Sequence, residues 1–174
     1  QEPQLNFERV DAQGIVLPDA SLWFSNFNNA DFSGADLSES SFEYSYFTEA
    51  NFRNANLEGA ELDYAKMEKT NLEGANLEGA KLNHVDFLCT NLKGANLRNA
   101  QFKNAKFRET SLGGADVHEA EFTGTNFEHV YGLDKVLNGN KAYFRGQRGG
   151  DAHSDNPHIY EIIWNFIQRQ IYGA

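Results

Sequence analysis

Five histidines, one cysteine and 25 carboxylates are the side chains that could move protons, attack an electrophile or hold a metal. The densest cluster is Asp151, His153, Asp155 and His158 near the C-terminus, on a Gly-containing stretch without a recognised ligand spacing. It leaves a metal or enzymatic site in the tail as a minor alternative. Cys89 stands alone and cannot form an internal disulfide, so cysteine usage leaves the redox compartment open. No glycine-rich phosphate loop, nucleophile elbow or His-Glu-x-x-His helix occurs. The expectation is a protein that is not an enzyme, with no cofactor and no metal.

Composition narrows the partners. Fifteen Lys and Arg against 25 Asp and Glu give a net charge of −10, which disfavours direct binding to nucleic acid phosphates. Apolar residues alternate with polar ones throughout, so no transmembrane span and no membrane partner is expected. The expectation is a soluble protein, cytoplasmic, or exported to a periplasm or thylakoid lumen if a signal peptide preceded Gln1.

The chain is organised by a period of five. From Leu22 to Phe127, twenty-two consecutive five-residue units place a large apolar residue at one position, here called the centre. Two residues earlier sits a small one, from Ala20 to Thr125, with Val85 the bulkiest. A helix asks for apolar spacing near 3.6 and a half-buried strand for 2, so a strict period of five fits neither. Short periods without insertions mark a coil that stacks on itself, because one unit cannot bury its apolar face alone. Glycine stands two places after the centre at Gly34, Gly59, Gly74, Gly79, Gly94, Gly114 and Gly124, where a type II turn requires positive φ. Asn and Asp dominate the place before the centre, being short and able to bond nearby backbone.

Runs such as Ala55-Asn56-Leu57-Glu58-Gly59, Ala75-Asn76-Leu77-Glu78-Gly79 and Ala95-Asn96-Leu97-Arg98-Asn99 resemble the pentapeptide repeat family over about residues 20–130. The resemblance implies an all-β fold: a right-handed quadrilateral parallel β-helix, four pentapeptides per coil, with residues twenty apart stacked. The expected organisation is an irregular N-terminal coil or cap at 1–19, the β-helix at 20–130, and a loop with a short helical turn at 131–155. A C-terminal α-helix is expected at 156–172, N-capped by Asp155 or Asn156 with Pro157 in the first turn. Its stripe of Ile159, Ile163, Phe166 and Ile167 must be buried. In the family such extensions cap or dimerise the solenoid, so the chain is expected to be a monomer or a homodimer through its C-terminal end.

Folding the chain at twenty residues per coil stacks Phe7, Phe27, Phe47, Met67, Phe87, Phe107 and Phe127 in one inner column, which packing alone explains. The same folding places Cys89, Glu109 and His129 in one outer column, with Cys89 and His129 about 10 Å apart, too far to share a zinc ion. Outside, Glu73 would face Lys93 and Glu78 would face Arg98. Residues 31–80 carry eleven acids and three bases, net −8; residues 81–110 carry two acids and six bases, net +4. One outer corner departs from the polar rule: Phe24, Tyr44, Tyr64 and His84 line up, with Trp23, Tyr46, Glu43 and Asp63 beside them. Amphipathic aromatics on a rigid surface are what interface cores favour; the competing reading is that the tail or the N-terminal lead covers them.

The function expected is therefore a non-catalytic scaffold that binds a protein partner of unknown identity. The alternative is mimicry of DNA toward a type II topoisomerase such as gyrase, which some members of the family achieve. The basic belt at 81–110 argues against it.

Overall fold

A computed structural model describes residues 5–139 and 142; the expected helix at 156–172, with Ile159, Ile163, Phe166 and Ile167, lies outside the described residues. The chain winds as a right-handed quadrilateral β-helix. The residue before each centre bridges in parallel to the residue twenty further on, as Asn6 to Asn26, Asn26 to Tyr46 and Tyr46 to Lys66. Each side of the square is too short for a long ladder. Among the described residues, only Lys106–Arg108 (β1) and Asn126–Glu128 (β2) extend the pairing to three residues, in register Lys106↔Asn126.

The backbone explains the period. The N–H of the centre donates to the next coil (Phe27 to the Tyr46 carbonyl, 2.8 Å), and so does the second residue after it (Asn29 to Thr48, 2.9 Å). The residue before the centre donates back (Asn26 to Leu5, 2.9 Å). Within most corners the small residue donates to the carbonyl of the centre three residues earlier, as Ala30 to Phe27 at 3.0 Å. The third residue of this four-residue turn is left-handed throughout, for example at φ 66° in Gly34 and 59° in Tyr44. Glycine suits that geometry but the fold imposes it on Glu, Lys, Cys and aromatic residues as well.

Centres and small residues fill the interior. Phe42, Phe47, Leu62, Leu77, Phe87 and Leu97 are fully buried, as are Ala60, Ala80 and Ala100. The predicted phenylalanine column is stacked, with centroids at 5.2 Å for Phe27–Phe47 and 4.8 Å for Phe87–Phe107, interrupted by Met67. At most small positions held by Ser or Thr, the buried hydroxyl donates to a centre carbonyl one coil below: Thr70 to Phe47 at 2.8 Å, Thr110 to Phe87 at 2.7 Å, Thr125 to Phe102 at 2.7 Å; Ser25 instead donates to the Trp23 carbonyl at 3.3 Å. A hydroxyl thereby replaces alanine without leaving an unpaired polar group inside.

Both ends adapt the rule. Residues 5–19, expected as an irregular coil or a cap, make the same bridges as the rest, Asp11 to Asp31 and Val16 to Asp36. Leu5, Ile15, Val16 and Leu17 remain exposed there. At the other end the repeat in the sequence stops at Val130, yet the wall continues. A 3-10 turn at Leu133–Lys135 adds one residue, so Asp116 bridges to Leu137 rather than to residue 136. Gly132, at φ 75°, enters this turn; a Cβ there would lie 2.7 Å from the Cα of Gly113, so the two backbones can stack only because Gly132 lacks one.

Candidate functional site

The second residue after each centre must turn the corner, and its N–H is pinned to the coil above. Phe24 donates to Glu43 (2.8 Å), Tyr44 to Asp63 (3.0 Å), Tyr64 to Asn83 (2.9 Å) and His84 to Lys103 (2.8 Å). All four stand in the left-handed region, at φ 54°, 59°, 63° and 60°. With the backbone held this way, successive side chains leave the wall in parallel. Tyr44 and Tyr64 stack with centroids 4.9 Å apart and planes 1° from parallel; Tyr64 and His84 do so at 4.6 Å and 2°. The stack stands on the outside: Tyr44 is 50 %, Tyr64 42 % and the neighbouring Trp23 47 % exposed. No described segment covers it.

Not every residue named with the strip belongs to its crest. Phe24 starts the column half-buried, and Tyr46 lies past the corner on the next side, bridged between Asn26 and Lys66. Glu43 accepts the Ser41 hydroxyl, and Asp63 accepts the Asn83 N–H at 2.8 Å and its side-chain amide at 3.3 Å. Both carboxylates thus flank the stack in fixed positions. Further along, the same corner carries Asn104 and Gly124, with exposed Lys103 and Lys106 on its two sides.

The groups capable of chemistry are arranged otherwise. Cys89, Glu109 and His129 do share a corner, at φ 56°, 52° and 51°. The Cys89 thiol donates to a Glu109 carboxylate oxygen at 3.4 Å. That hydrogen bond, with desolvation and the Glu109 charge, raises the thiol's pKa, the opposite of the shift that activates a cysteine nucleophile. A shallow open groove is lined by Glu39, Glu58, Glu61 and Glu78 with Lys81; the ammonium sits 2.5 Å from Glu61, whose hydrogen bond and charge raise its pKa. No group of three or more His, Cys, Asp or Glu among the described residues could hold a metal ion. No helix among them is long and apolar enough to cross a membrane.

The expected pairs Glu73–Lys93 and Glu78–Arg98 are replaced by another arrangement. Glu73 and Glu78 accept from the side-chain amides of Asn91 (3.3 Å) and Asn96 (3.1 Å), while Arg98 reaches on to Asp116 at 3.2 Å. The cause is a pair of asparagine ladders that residue-by-residue reading missed. Asn51, Asn71 and Asn91 each donate to the residue twenty before, starting from Asp31, and Asn56, Asn76 and Asn96 do so from Asp36. Each ladder oxygen also takes the backbone N–H two residues on, as Asn71 from Glu73 at 3.2 Å. The signal was present as Asn or Asp before the centre, recurring every twenty residues.

Family models match the five-residue repeat along most of the described chain. The family description "Pentapeptide repeats" matches in eight copies over residues 6–43 and 40–79, and "Pentapeptide repeat region" matches residues 66–131. No curated protein matches the chain by sequence. Among solved structures, a pentapeptide repeat protein of the Arabidopsis thaliana thylakoid lumen is 31% identical, covering 64% of this chain and 68% of its own, with a TM-score of 0.41. HetL of Nostoc sp. strain PCC 7120, a pentapeptide repeat protein involved in heterocyst differentiation regulation, is 20% identical over 79% of this chain and 88% of its own, at 0.34. QnrB1, a plasmid-mediated fluoroquinolone resistance protein, is 17% identical over 92% and 84%, at 0.32.

Proposed function

We propose that this chain, which belongs to the pentapeptide repeat family, is a non-catalytic module that holds another protein molecule on its aromatic corner. The observation that carries the reading is the exposed stack Tyr44–Tyr64–His84, standing on a wall whose backbone is hydrogen-bonded coil to coil. Such side chains give large contact area with few rotatable bonds, and here the bonds are already restrained by stacking, so little ordering remains to be lost on binding. The interior of the described coils is filled by the buried centres and small residues and contributes rigidity. A DNA-like surface fits less well, since exposed Lys93, Lys103 and Lys106 interrupt the negative wall. The segment 156–172 is read as a cap or dimer contact.

Capture of partners from the source cell on the immobilised full chain tests the proposal. Tyr44→Ser with Tyr64→Ser is expected to keep the thermal transition and lose specific partners. Recovery of the same partners by the double variant overturns it. Comparing the apparent size of the full chain with a chain ending at Asn138 tests the C-terminal contact; two equal monomers would reject a dimer there.

A further inference from the structure

We propose that the occupant of the aromatic corner is a second copy of this chain, laid antiparallel along it. The inference rests on reading the corner as a protein-binding surface. Its basis is that, among the described residues, the corner opposes no like charges and leaves none of its aromatic residues unmatched in one register.

Along this edge the corner residues run Phe24, Tyr44, Tyr64, His84, Asn104 and Gly124, large at one end and small at the other. A twofold axis crossing the corner midway between Tyr64 and His84 sets Phe24 against Gly124 of the partner subunit and Tyr44 against the partner's Asn104. Tyr64 then meets the partner's His84. The flanks follow the same operation. Glu43 faces the partner's Lys103 on one side of the crest; on the other, Tyr46 faces the partner's Lys106, and Lys66 lies over the partner's Asp86, a carboxylate that is buried and paired with Arg108 of its own chain at 3.1 Å. No like charges are opposed in the columns beside the crest. An isologous interface requires this self-complementarity.

Neighbouring registers fail. An axis through Tyr64 itself opposes Asp63 to the partner's Asp63 and Lys66 to the partner's Lys66. An axis through His84 opposes Lys66 to the partner's Lys106. Midway between Tyr44 and Tyr64, Glu43 meets the partner's Asp63; midway between His84 and Asn104, Phe24, Glu43 and Tyr44 meet no described residue of the partner subunit. Like-charge contacts discriminate against wrong registers more than opposite charges add affinity. Glu43 belongs to the acidic stretch 31–80 and Lys103 to the basic stretch 81–110, so the banding of charge finds a use in this pair. Five coil steps of about 4.8 Å make a strip roughly 24 Å long. That is less than a standard stable interface needs, so the dimer is concentration-dependent.

Sedimentation of the full chain from micromolar to near-millimolar concentration tests the inference. The expected result is a monomer–dimer equilibrium whose Kd rises at least tenfold in Glu43→Lys and in Lys103→Glu, and returns toward the original value in the charge-swapped double variant. Both positions are on the surface, and circular dichroism reports whether each variant keeps the fold. A chain that stays monomeric overturns the inference, as does a dimer indifferent to both single substitutions. If partner capture is lost in Tyr44→Ser with Tyr64→Ser while the chain is monomeric, the corner remains a binding surface and only the second copy is rejected.

Discussion

Two corners of the same coil share one backbone and carry opposite surfaces. At one, Phe24, Tyr44, Tyr64 and His84 sit at φ 54–63°; at another, Gly34, Gly74 and Gly94 sit at φ 66–67° with Asn54 at 56° among them. Glycine is what the left-handed turn favours, since any L side chain there costs about 1–2 kcal/mol. The aromatic corner therefore holds residues that the turn does not ask for. Stacking returns part of that cost, about 0.5–1.5 kcal/mol per pair. The difference teaches that, in this fold, residues chosen by the turn report on folding, whereas bulky residues retained against the turn report on the outside.

The comparison supposes that both corners rest on one common interior. Phe47, fully buried and stacked on Phe27 at 5.2 Å, is the place to break it. Phe47→Ala is expected to cost about 3–5 kcal/mol and to lower the melting transition of the whole wall. A loss confined to coils next to residue 47 in hydrogen exchange would show the corners to be supported separately.

The next effect concerns the glycine corner. Gly94 has open space where a Cβ would go, at φ 67°. Gly94→Ala should therefore destabilise through the backbone alone, by about 1–2 kcal/mol in chemical denaturation. A neutral result would mean that the turn tolerates any residue, and the contrast between corners would lose its meaning.

Tyr64→Gly is the reciprocal change. Relief of the turn offsets the lost stacking on Tyr44 and His84, so stability should move by no more than about 1 kcal/mol while binding at the corner falls. A loss of several kcal/mol would make the stack structural.

The smallest effect lies at the top of the second asparagine ladder. Burial works against ionisation of Asp116, but hydrogen bonds from Asn138, the His118 N–H and Arg98 outweigh it and lower its pKa. A carboxylate with a lowered folded pKa stabilises the fold above the ordinary value near 4 and loses that contribution as pH falls through the folded value. Melting temperature should thus decline below about pH 4, and Asp116→Asn should flatten part of the decline. An unchanged pH profile in that variant would remove Asp116 from the C-terminal wall's support.

Much of the fold was legible because each unit obeys a local constraint. A centre such as Leu77 and a small residue such as Ala75 recur every five residues since the same inner space is filled on every side of the square. Gly74 and Gly94 are readable for the same reason: a turn there demands positive φ whatever lies above it. Other features depended on neighbours twenty residues away. Arg98 could be aligned with Glu78, but Glu78 accepts from Asn96 and Arg98 pairs with Asp116 at 3.2 Å. The added residue at the 3-10 turn likewise hid the last described coil, because Leu137 keeps its bridge to Asp116 out of phase with the repeat.

The residues alone set the period, the phase of inside and outside, and the identity of the corner positions, because these follow from side-chain size and backbone preference within five residues. The stacked rings, the asparagine ladders and the continuation past Val130 were settled only when the coils closed on one another. No local interaction links a residue to its neighbour twenty positions away; their contact exists through the coil-to-coil hydrogen bonds of the wall, and so belongs to the tertiary structure.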